Sequence, residues 1–195
     1  MAVVSIKNKL RRGNLLVGND AFLPGAFESI ATVTVSGSAS SITFSNIPQT
    51  YTHLQIRGIS RSTASLTFTF VFGDIMFNSD FTGTNYYQHY VQGDGSATAA
   101  ANNYPLWYWA ADNAVNSNIY GAAIFDILDY TNTNKKKTVR ILGGVDNNGS
   151  GGIDFHSILW NNTAAISSIR LTIPFNDYGV FQNRTTFALY GIKSA

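Results

Sequence analysis

"SLTFTFVF", Ser65 to Phe72, alternates apolar and hydroxyl side chains: Leu66, Phe68, Phe70 and Phe72 fall on one side, Thr67 and Thr69 on the other. Successive side chains of a strand point to opposite faces, so a period of two is the mark of a half-buried strand. The stretch is expected to place its aromatic row in the core. The same period recurs outward in both directions. "ESIATVTV" carries Ala31, Val33 and Val35 on one face, "SITFSN" turns Ile42 and Phe44 inward, and the strand after Pro48 presents Leu54 and Ile56. The first two of these read as a hairpin.

Further strand candidates are "YGAAIFDILDY", "KKTVRILGGV", "GIDFHSILW", "AISSIRLTIP" and "RTTFALYGI", nine or ten in all. Turn residues bound them at Gly73-Asp74, Asn132-Thr133-Asn134 and Asn148-Gly149. No segment has the period of an amphipathic helix, and regularly spaced short strands with Gly and Asn turns point to a sandwich. The expected fold is all-β: an antiparallel β-sandwich, jelly-roll-like, with an extended N-terminal arm. The arm is placed at 1–26 and the sandwich at 27–195. Val91 to Asn118 is less regular, and either hides a short strand near Leu106 to Ala110 or projects as a loop.

The chain has 195 residues, enough for one domain that buries roughly 70% of its unfolded surface. Charged residues make up only 12%, about half the usual share. The absence of cysteine excludes disulfides and thiolate chemistry. No apolar run approaches the ~20 residues needed to cross a bilayer, and Lys7 interrupts the apolar start, so neither a membrane partner nor a secretory leader is expected. Lys7, Lys9, Arg11 and Arg12 against Asp20 place a net +3 in the first twenty residues, which leaves −1 for the rest of a chain of net +2.

Catalytic and metal constellations do not stand out. His53, His89 and His156 lack metal-type spacing, and no GxSxG elbow occurs. Asp126 and Asp129 lie three apart, on opposite faces of a flat strand, and Asp146 and Asp154 flank a glycine turn without a calcium-loop pattern. No catalytic residue, metal or cofactor is assigned. "NKKKT", Asn134 to Thr138, reads as a charged strand end that guards a sheet edge. The aromatic knot "YPLWYW", with Tyr104, Trp107, Tyr108 and Trp109, either plugs one end of the sandwich, anchors a protein interface or stacks on sugar rings.

The basic arm is the other functional candidate. Its cations Lys7, Lys9, Arg11 and Arg12 run into Leu15, Leu16, Val17 and Phe22. A nucleic-acid tail is usually a plain charge run, whereas mixed cationic and apolar anchors suit a protein surface. Protein docking is therefore expected, and nucleic acid is not.

"FESIATVTVSGSASSITFSNIPQTYTHLQIRGISR", Phe27 to Arg61, with the ending "TTFALYGIKSA", resembles small virion proteins of tailed bacteriophages, notably those infecting cyanobacteria and other aquatic bacteria. The start "MAVVSIKNKLRRGNLLVGN" is similar to their leaders. The resemblance implies a non-enzymatic structural protein made in the host cytoplasm and carried in the virion. Its expected role is capsid decoration (cement), anchored through the arm to other virion proteins, as a homo-oligomer and on analogy a trimer. The alternative is a head or tail fibre module that binds a host glycan.

Overall fold

The computed structural model describes residues 26–66, 70–103, 108–173 and 179–193. In chain order the strands are β1 Phe27–Thr34, β2 Ser38–Ala39, β3 Ser41–Phe44, β4 His53–Ser60, β5 Phe70–Phe77, β6 Tyr86–Gly93, β7 Thr98–Asn103, β8 Tyr108–Ala111, β9 Gly121–Ile127, β10 Lys137–Asp146, β11 Gly151–Trp160, β12 Ile169–Thr172, β13 Phe181–Gln182 and β14 Thr186–Ile192. A single 3₁₀ turn, Gly83–Asn85, is the one helical element among the described residues.

Eight strands form one sheet in the order β1-β14-β4-β9-β10-β11-β6-β7, and four form a second in the order β3-β12-β5-β8; β2 and β13 make a two-stranded ribbon. Every strand pairing is antiparallel. The core lies between the sheets. Leu54, Ile56, Phe125, Ile127, Val139, Ile141, Ile158 and Leu189 from the large sheet meet Ile42, Phe44, Val71, Ile75, Phe77 and Leu171 from the small one. The chain is thus an all-β, antiparallel sandwich. Close packing extends to the backbone at Gly58, where a Cβ would sit 2.1 Å from the Phe187 ring.

Four expectations need correction. The phenylalanine-rich strand β5 begins at Phe70 and runs through Gly73-Asp74, which is therefore not a turn. The phase also differs: Val71, Ile75 and Phe77 enter the main core, while Phe70 and Phe72 pack on the separate Ala111, Val115 and Val145 cluster. Residues Thr67 to Thr69 lie outside the described residues. Secondly, β1 and β3 are not a hairpin, because β1 pairs with β14 and β3 with β12. The connection between them crosses from one sheet to the other and carries β2, which pairs with β13.

Thirdly, β10 is no sheet edge. It pairs with β9 and β11, and Lys137 at its start is fully buried. Its ammonium donates to the carbonyls of Asn132 (2.5 Å), Lys135 (2.7 Å) and Thr163 (3.0 Å). Desolvation lowers its pKa, against the attraction of Asp129. Lastly, the described residues form fourteen strands rather than nine or ten, with β2, β6, β7, β8 and β13 added. Of the two readings of Val91 to Asn118, the hidden short strand near Leu106 to Ala110 is the one observed, as β8.

Candidate protein-docking surface

Cross-strand register builds the site. On the outer face of the large sheet, Arg57, Ile124, Leu142, Phe155, Val91 and Ala100 are successive neighbours from β4 to β7. The next row, two residues along, is Ile59, Ala122, Gly144, Ile153, Gly93 and Thr98. The row on the other side is polar: Gln55, Asp126, Arg140, Ser157, His89 and Asn102. Two apolar rows therefore lie side by side, bordered by a hydrophilic one.

Ile59, Val91, Ile124, Leu142, Ile153 and Phe155 are 38–58% exposed. Scattered surface hydrophobes are ordinary, but a contiguous patch rimmed by polar groups marks an interaction site. Small residues such as Ala122, Gly144 and Gly93 leave the middle low, and the face forms a trough of about 1140 Å³ with Arg57, Tyr190, Asp94 and Asp146 on its lining. Phe27 stacks on Tyr190 at 4.8 Å between ring centroids, and the Arg57 guanidinium sits 5.4 Å from the Phe27 ring centre.

The opposite phase of β11 carries a buried polar group. Asp154 and His156 point inward with Ile158 and Trp160, and both are 1% exposed. His156 Nε2 lies 2.5 Å from Asp154 Oδ2, although the contact falls outside hydrogen-bond geometry. Its Nδ1 is 3.2 Å from Gln88 Oε1, and the Tyr90 ring packs at 5.4 Å. Gly143 makes room for the carboxylate, since a Cβ there would lie 2.7 Å from Asp154 Oδ1. Enclosed by the sandwich, this pair is not placed to meet a substrate. It also separates Asp154 from exposed Asp146, which points to the other face of the hairpin, so the two do not form one cation site.

Another concavity, of about 250 Å³, is polar and lined by Arg61, Asn113, Tyr120, Gln182, Asn183 and Arg184, among others. Several of its polar groups are bonded to one another. Arg61 gives all five guanidinium N–H groups to Asn113, Val115, Asn116 and Ile119. Gln182 donates to Asn113 Oδ1, and the Tyr120 hydroxyl donates to the Asn183 carbonyl.

The three histidines stay apart: His53 Nδ1 accepts from the Asp129 amide, His89 sits in the polar outer row, and His156 is interior. The docking-arm residues Lys7, Lys9, Arg11, Arg12, Leu15, Leu16, Val17 and Phe22 lie outside the described residues, as do Tyr104 and Trp107. Tyr108 and Trp109 fall on β8, where their backbones pair with Gly73 and Phe72. The sequence reading missed the apolar trough. Its one signal was that "GAAIFDI" and "RILGGV" place apolar residues on both faces of their strands, which a sheet covered on only one face does not require. No protein-family model, no curated protein and no solved structure matches the chain.

Proposed function

We propose that the chain is a non-enzymatic structural component of a tailed-phage particle, a decoration (cement) protein that docks on its neighbours through the apolar face of its large sheet. The observation that carries this reading is the transverse row Ile124, Leu142, Phe155 and Val91, held at fixed spacing on a rigid surface. Burying six half-exposed apolar side chains gives on the order of 1 kcal/mol each. Free association between two proteins costs roughly 4–15 kcal/mol in lost motion. The face alone is therefore a weak adhesive, and the N-terminal arm supplies the second attachment that turns it into a firm one. The low charge of the body favours crowding of many copies, and the resemblance of the two chain ends to phage virion proteins agrees with this role.

The test is occupancy on purified particles. Phe155→Asp lies on an exposed position and leaves the sandwich intact, and it is expected to reduce decoration at least tenfold in titrations, about the effect of one lost anchor of 1.4 kcal/mol. Unchanged occupancy would refute docking through this face.

A further inference from the structure

We propose that in the unassembled protein the trough is covered by the N-terminal segment of the same molecule, with Leu15, Leu16, Val17 and Phe22 lying across the apolar rows. This rests on the reading above only for the partner that later displaces the segment. Four observations select this occupant.

The first is shape. A second copy would offer the same concave face. From β4 to β6 the two rows cover about 19 Å by 14 Å, roughly 270 Å², against the ~800 Å² per partner of a stable interface. Such a strip fits one extended segment better than another sheet. The second is where the chain arrives. Phe27, the first residue of β1, lies on this same face against Tyr190 and Arg57, both of which line the trough. The residues before it thus start at the trough's rim, and Pro24-Gly25 is a turn-favouring pair at that point.

The third is charge order. Asp94 and Asp146 line the trough at the end away from Phe27, and Lys7, Lys9, Arg11 and Arg12 follow the apolar residues outward along the segment. The fourth is reach. Six strand spacings and about six residues along the sheet separate Phe27 from Asp94, a diagonal of roughly 36 Å. The fifteen residues from Arg12 to Phe27 span up to about 50 Å when extended. Apolar residues on the trough and cations at its acidic end are both satisfied at once.

The absence of native cysteine makes the test clean. The full-length protein carrying Leu16→Cys with Leu142→Cys is oxidised alongside one carrying Leu16→Cys with Thr138→Cys, an exposed position on the same strand and the same outer face, outside the apolar rows and about as far from Phe27. Tethering alone gives both pairs a similar effective concentration, so a docked segment is expected to trap the Leu142 pair at least about tenfold faster, as a monomer. Equal rates for the two pairs, or disulfides that join two molecules, would overturn the proposal. Deleting residues 2–24 provides a second readout: binding of a hydrophobic dye should rise severalfold, and no rise would contradict a covered trough. Neither experiment uses phage particles, so both can fail while the decoration role stands, and the reverse.

Discussion

Asp74 stands on β5 with its side chain on the face away from the main core, 3% exposed, and Oδ1 makes no hydrogen bond. Burial pushes its carboxyl up to about 7. The native state therefore keeps its proton between about pH 4 and pH 7, where the unfolded chain has lost it. Fewer protons on the unfolded state mean that stability falls as pH rises through this window. The full stabilising effect is present below about pH 4, and the loss is complete above about pH 7, with a size of at most roughly 4 kcal/mol. Denaturant midpoints of the wild type should drop between pH 4.5 and pH 8, and Asp74→Asn should flatten that slope. Parallel slopes would show that Asp74 is not the group responsible. Lys137 offers a different case, since its ammonium satisfies three carbonyls. Lys137→Met leaves those acceptors without their donor and should cost about 3 kcal/mol in unfolding free energy; a change below about 0.5 kcal/mol would contradict the role given to it.

At the level of elements, Arg61 ties the end of β4 to the 112–119 connection. Its guanidinium is a fork with fixed donor directions, which an ammonium cannot reproduce. Arg61→Lys should raise amide exchange in residues 113–119 by at least tenfold while leaving β9 to β11 protected, and uniform exchange across the chain would contradict this local role. Such ties were not legible in the sequence, because they depend on which carbonyls a loop presents. Strands were legible where the pattern has one reading: Leu54 and Ile56 in β4 face the core as the alternation predicts. β11 was harder. Ile153 and Phe155 alternate with Asp154 and His156, and hydropathy alone would turn the first pair inward. The structure does the reverse, since Ile158 and Trp160 farther along the same strand fix its phase. One strand cannot change faces without a bulge, so the stronger end decides. The β1–β3 hairpin failed for a related reason: neighbours in sequence need not be neighbours in a sheet when the connection is six residues long.

For the whole molecule, an eight-stranded sheet with one face against the core leaves another face to solvent, and here much of that face is apolar. Small residues such as Ala122, Gly144 and Gly93 leave a shallow open depression in it, which favours narrow or convex partners. The fold class followed from the strand pattern, whereas the trough emerged only from the register, which aligns Ile124, Leu142, Phe155 and Val91 from four separated segments. A charge placed in this row should act on association and not on folding. In the protein lacking residues 2–24, Leu142→Asp is expected to keep the thermal midpoint within about 3 °C of its parent, as exposed substitutions do, and a larger drop would mean that Leu142 supports the fold itself. The most direct measurement is hydroxyl-radical footprinting of the full-length protein bound to phage particles, with the free protein lacking residues 2–24 as the uncovered reference. Binding should protect Leu142, Ile153 and Phe155 and leave Phe81, exposed elsewhere, as reactive as before. Protection at Phe81 with the trough side chains unchanged would contradict docking through the large sheet.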